Sequence, residues 1–241
     1  NVIPIYSYMD SEASVTVGEK ATLTAKAKLS EGQTLDTSKD HPSISLTAES
    51  KATNIVQAAT NSADADAFPA TKAKAGTAVA DAAASQAKAA EAVKSKANAA
   101  QNKTVHLAGA AVAYDGASSS AAVDVKGTLD ADGAINMKAQ STDALNVKAI
   151  ANGLGATATG TAPKINAAIA VATGDNAATV NVEKTAKITS SQSGVYATAV
   201  AINSLDVVSN VTANATAVGA TAVSVLDYTS GATVNINSNI T

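Results

Sequence analysis

The sequence predicts an all-β fold: a parallel β-helix (β-solenoid) carrying one Ala-rich α-helical insertion. Three observations carry that expectation. They are an internal repeat seen in two independent registers, period-two alternation of apolar and polar residues, and a composition suited to a thin interior.

The repeat comes first, because missing one misassigns the whole architecture. Val223-Ser-Val225-Leu-Asp-Tyr-Thr-Ser-Gly-Ala232-Thr-Val234-Asn-Ile236 follows Ile169-Ala-Val171-Ala-Thr-Gly-Asp-Asn-Ala-Ala178-Thr-Val180-Asn-Val182 at a constant offset, without a gap. Val112-Ala-Tyr114-Asp-Gly, leading to Ala122-Val123-Asp-Val125, stands at a similar interval before that copy. A further copy, Tyr8 to Val15-Thr-Val17, precedes Val123 by nearly twice the interval. The shared unit reads as an alternating strand, a short turn rich in Asp, Asn, Gly and Ser, and a second alternating strand. Downstream, Ile44-Ser-Leu46-Thr-Ala48-Glu-Ser50 matches Ile135-Asn-Met137-Lys-Ala139-Gln-Ser141, and Val56 matches Val147 at the same spacing.

Alternation with period two puts one face of each strand inward. The expected inward residues are Val123/Val125, Ile135/Met137, Leu145/Val147, Ile169/Val171, Val180/Val182, Leu205/Val207, Val223/Val225 and Val234/Ile236. The turn residues between them imply strands of about four to six residues.

Composition sets the thickness of the core. The chain has 241 residues, of which 58 are Ala, with one Phe, no Trp and two Met. Large apolar side chains contribute roughly 1.5–3 kcal/mol each when fully buried. A chain this poor in them builds an interior one or two side chains across, as repeat folds do when each layer buries its face against its neighbours.

Residues 57–102 break the pattern. From Thr77 to Gln101 the chain is Ala-rich without Gly or Pro, the composition of highest helix propensity. Val79, Ala83, Ala87, Ala90, Val93 and Ala97 fall at helical spacing. About 25 helical residues would extend roughly 37 Å. The expected organisation is therefore solenoid over 1–56, helical insertion over 57–102 and solenoid over 103–241, one continuous stack overall. The insertion, which also accounts for the widened interval after the first copy, lies along the flank, projects as a recognition arm or is a disordered low-complexity tract.

Charge and residue usage exclude several function classes. All 17 basic residues are Lys, and the net charge is −3. Nucleic-acid binders rely on clustered Arg and Lys with stacking aromatics, so none is expected as a partner. No run approaches the ~18 apolar residues of a membrane span. The absence of Cys removes disulfides and thiolate metal sites. It also suits a chain that crosses an outer-membrane pore unfolded. The opening at Val2-Ile3-Pro4-Ile5 reads as mid-pattern, as in a piece of something longer.

Residues able to do chemistry are sparse. His41 falls in the turn Lys39-Asp-His-Pro42 and His106 inside Thr104-Val-His-Leu107, unlike contexts that read as solvent and strand face. Asp64-Ala-Asp66 and Asp130-Ala-Asp132-Gly133 offer partial oxygen sets for a hard cation, short of the six to eight ligands it needs. Turn chemistry is the simpler reading. Gly153-x-Gly155 lacks the rest of a dinucleotide fingerprint. Sequons begin at Asn102, Asn210, Asn214 and Asn239. No catalytic, cofactor-binding or metal residue is assigned, and no enzymatic activity is expected.

The copies Ala168-Ile-Ala-Val171, Ala178-Thr-Val-Asn-Val182 and Gly133-Ala-Ile-Asn-Met-Lys-Ala-Gln-Ser141 give the unit an "Ala-Val-Ala-Val", polar turn, "Ala-x-Val-x-Val" cadence. It resembles the filamentous-haemagglutinin-like and leukotoxin-type filamentous adhesins of bacteria. That resemblance implies a right-handed parallel β-helix and an internal segment of a type V secreted, extracellular fibre on the bacterial cell surface. Its partners would be a host-cell or bacterial surface receptor, protein or glycan, and an outer-membrane secretion pore during export. The segment Asn214-Ala-Thr-Ala-Val-Gly-Ala-Thr-Ala-Val223 also looks like the β-roll heads of trimeric autotransporters. A polysaccharide lyase or depolymerase-like solenoid and a passive fibre scaffold are the other readings.

Overall fold

The computed structural model of the chain describes residues 2–36, 40–59, 106–152, 164–212 and 217–241. They form ten strands: β1 (Val2–Val17), β2 (Thr22–Ala25), β3 (Ile44–Ala59), β4 (His106–Val125), β5 (Thr128–Ala131), β6 (Ile135–Asn152), β7 (Lys164–Val182), β8 (Lys187–Ser190), β9 (Val195–Thr212) and β10 (Ala217–Ile236). All pairing between them is parallel. The first sheet has the order β1-β4-β7-β10, the second β2-β5-β8 and the third β3-β6-β9. The chain thus visits the three sheets in a fixed rotation and adds one strand to each on every round. A bridge between Ile188 and Ile240 starts a fourth level of the second sheet.

The register is the one the repeat predicts. Val223 pairs with Ile169 and Ile236 with Val182. Val123 pairs with Val180 and Val15 with Val123. Ile44 pairs with Ile135, Ser50 with Ser141 and Val56 with Val147.

The first and third sheets face each other, their strands running in opposite senses, and the short second sheet packs against one end of the interior between them. One apolar cluster joins Val123, Val125, Val180 and Val182 to Leu129, Ile188, Ile135 and Met137. A second joins Ala111, Ala113, Ala168 and Ala170 to Leu145, Val147 and Ala149. The ends of β3 and β6 pack beside the starts of β4 and β7, as Ala58, Ala149 and Ala151 share a cluster with Ala111 and Ala168.

Several expectations are corrected. The strands of the first and third sheets are 16 to 20 residues long, not four to six. The polar stretch Asp115–Ser120, expected as a turn, lies in the middle of β4. Alternation continues through it because its inward side chains find partners across the interior. Ile169/Val171 and Val223/Val225 share a parity opposite to the inward Ala168, Ala170 and Ala172 and face away from the facing sheet, although Ile169 is buried all the same. Ala fills those inward slots because Leu145 and Val147 already occupy the narrow gap. Val234 and Ile236 are inward by register yet 42% and 44% exposed, since β10 is paired along one edge only.

No helix occurs among the described residues, and the expected helix over Thr77–Gln101 lies outside them. The third sheet takes in Gln57–Ala59 as the end of β3. Among the described residues no helix is long and apolar enough to cross a membrane.

Candidate functional site

Between the two apolar clusters runs a hydrogen-bonded polar seam. In the first sheet Ser11, Ser119, Asn176 and Ser230 occupy one inward column, one residue per strand. Ser50 and Ser141 face it from the third sheet. Ser50 Oγ lies 2.8 Å from Ser11 Oγ and 2.9 Å from Ser119 Oγ, and Ser119 Oγ lies 2.7 Å from Ser141 Oγ. Asn176 Nδ2 donates to the Ile202 carbonyl at 2.8 Å and to Asn203 Oδ1 at 2.6 Å. Asn203 Nδ2 donates in turn to Ser230 at 2.8 Å. Unpaired polar groups in such an interior cost free energy, and the hydroxyls and amide N–H groups of the seam pair with one another across the gap, while Asn176 Oδ1 is buried without a partner.

Two fully buried carboxylates flank the seam, Asp115 and Asp143. Asp115 Oδ1 accepts from Asn54 Nδ2 at 2.7 Å. Burial pushes the Asp115 carboxyl up to about 7; the Asn54 hydrogen bond opposes this and nearby Asp143 adds to it. Asp143 Oδ2 accepts the Tyr228 hydroxyl proton. Its carboxyl is also raised by burial, against the donations from Tyr228 and Ser119. These groups lie inside the sheet stack, where they serve the fold.

The residues singled out from sequence separate. Asp130 and Asp132 do converge, but on Lys26, whose Nζ lies 2.6 Å from Asp130 Oδ1 and 3.2 Å from Asp132 Oδ1. Asp132 also accepts from the Ala27 amide at 2.8 Å and from Ser191 at 3.0 Å. The Ala27 amide bond is the largest influence holding its carboxyl below the usual range. The cluster is a clamp between successive rounds of chain, its oxygens already engaged by the fold. His41 sits between β2 and β3, and His106 begins β4. Asn210 is exposed on β9 and Asn239 near the C-terminus. Asp64, Asp66, Gly153, Gly155, Asn102 and Asn214 lie outside the described residues. Among the described residues no three His, Asp or Glu side chains gather as a metal site.

The outer face of the first sheet carries a feature that sequence reasoning missed. Tyr6 pairs with Tyr114 in adjacent strands, and their rings stack with centroids 4.7 Å apart and 15° between planes. Tyr8, two residues along the same face, pairs with Gly116. A Cβ on Gly116 would stand 2.7 Å from Tyr8 Cδ2, so the ring lies across bare backbone that only glycine provides. The Tyr114 hydroxyl is hydrogen-bonded to Thr173 Oγ1 at 2.7 Å. The signal was present: Tyr6 and Tyr114 stand as far apart in sequence as Val15 and Val123, and so share one place in the repeat.

Comparison with protein families, with curated proteins and with solved structures gives no match to this chain.

Proposed function

We propose that the chain is a structural and adhesive segment of a long, surface-displayed bacterial fibre of the filamentous-haemagglutinin-like kind, its three sheets forming the walls of a right-handed parallel β-helix. The observation that supports this most is the parallel register kept across successive rounds, which shifts only near the strand starts, between Leu107 and Gly109 and between Ala217 and Gly219. Each round adds one layer and keeps the same faces outward, so length grows in one direction while the core stays thin. A right-handed sense follows the rule for parallel crossovers. The absence of Cys suits passage through an outer-membrane pore, and the extracellular setting follows from that route.

Small-angle scattering on the chain tests the shape, with an elongated particle expected and a compact sphere overturning the reading. Attachment to cells tests the role. A variant lacking 60–105 leaves β3 and β4 intact and asks whether that segment carries attachment. A rod that attaches to no cell or glycan leaves the passive scaffold in place of the adhesin.

A further inference from the structure

Three of the five tyrosines, Tyr6, Tyr8 and Tyr114, form one continuous surface on the outer face of the first sheet. Tyr6 and Tyr114 turn their facing sides to each other. Tyr8 rests one side on Gly116 and is 55% exposed, so a flat aromatic face meets solvent. Polar groups border it on the same face. Asp10 and Glu12 follow along β1, and both are polar neighbours on the outer side. In the adjoining strands Ser118 and Asp175 share the Asp10 column, with Ser118 Oγ donating to Asp175 Oδ2 at 3.2 Å. Asp10 and Asp175 both lie close enough to Tyr8 to help hold its hydroxyl above the usual range, after burial as the larger cause.

This combination has a definite recognition chemistry. An aromatic ring presents a negative face, which attracts the C–H-rich side of a pyranose ring. Carboxylates accept hydrogen bonds and donate none, so they suit sugar hydroxyls at the rim. The same carboxylates repel sialic or uronic acids, which sets the charge of the ligand.

We propose that Tyr6, Tyr8 and Tyr114, with Asp10 and Asp175, form a binding platform for uncharged pyranose sugars, Tyr8 stacking on the ring and the carboxylates accepting its hydroxyl protons. The proposal rests on the adhesive reading of the chain and names the ligand class that one face of it takes.

The test is calorimetric titration of the intact chain with lactose, cellobiose and chitobiose, with sialyllactose as the anionic probe. At least one neutral disaccharide is expected to bind, and sialyllactose is not. Tyr8→Ala is expected to weaken binding about tenfold, a stacking interaction's worth, and Tyr8→Phe to keep it within about twofold. Asp175→Asn, which removes a repelling charge, is expected to narrow the preference against sialyllactose. Circular dichroism on Tyr8→Ala checks that the strands persist; should they not, Asp175→Asn carries the test. Failure of all three neutral sugars to bind, or unchanged binding by Tyr8→Ala, overturns the platform. Attachment to cells measured on the same proteins separates the two readings. Undiminished attachment by Tyr8→Ala sinks only the platform, whereas no attachment by the intact chain sinks the adhesive reading and the proposal with it.

Discussion

Tyr228 on β10 donates its hydroxyl proton to Asp143 on β6, reaching past the intervening strand β7 at Gly174. The reach is possible because Gly174 has no side chain. A Cβ there would collide with the Ala117 carbonyl oxygen and lie 3.2 Å from the Tyr228 ring. One bond thus ties the last strand of the first sheet to the middle of the third.

Tyr228→Phe removes that donor and leaves a buried carboxylate oxygen without it. A loss of about 1–3 kcal/mol is expected in urea unfolding. The bond favours charged Asp143, so the loss should be larger at pH 8 than at pH 5.

Gly174→Ala should be more severe, at about 3 kcal/mol or more, because backbone rather than a flexible side chain must give way. Gly231→Ala serves as the control. A Cβ there meets nothing within 4 Å, and the unfolding midpoint is expected to stay within about 0.5 kcal/mol of the parent.

Asp115 makes stability depend on pH. Its carboxyl stands at about 7 in the fold against 3.8 for the unperturbed group, so the folded state holds the proton more tightly. The contribution is full below about pH 4 and is lost as pH rises through about 7. Thermal unfolding should therefore occur at lower temperature at pH 8 than at pH 5. Asp115→Asn should flatten that slope, with the remainder contributed by Asp143, raised in the same direction.

Ser119→Ala interrupts the seam between Ser50 and Ser141. About 1–3 kcal/mol should be lost, while Ser14→Ala on the exposed face of β1 should change stability by less than about 0.5 kcal/mol. Equal midpoints for the two variants would remove the seam from the list of stabilising features.

The stacking was legible because Val15, Val123, Val180 and Val234 repeat a β-branched residue at one level of each strand, and any register error would bury their polar neighbours. The interior seam was not. Asp115, Ser119 and Asn176 belong to residue types that favour turns, and only the facing Asn54, Ser50, Ser141 and Asn203 make a strand the better place for them. The inward Ala111 and Ala168 misled for a related reason. Ile169 and Val171, beside the inward Ala168 and Ala170, are larger and looked like the core, whereas the gap opposite Leu145 and Val147 is filled by alanine methyl groups. The aromatic face was hidden by counting tyrosines rather than placing them in the repeat.

The seam has a bearing on how the layers find their order. Alanine and valine layers are nearly interchangeable, so a strand that skipped a level would bury almost the same apolar surface. The polar levels differ. Ser11 meets Ser50, Ser119 meets both Ser50 and Ser141, and Asn176 meets Asn203. A misthreaded strand would set a hydroxyl where an amide is needed, or leave a carboxylate facing methyl groups, and incur the full desolvation penalty. Each level therefore carries its own address, and a monotonous stack acquires a single permitted sequence of assembly.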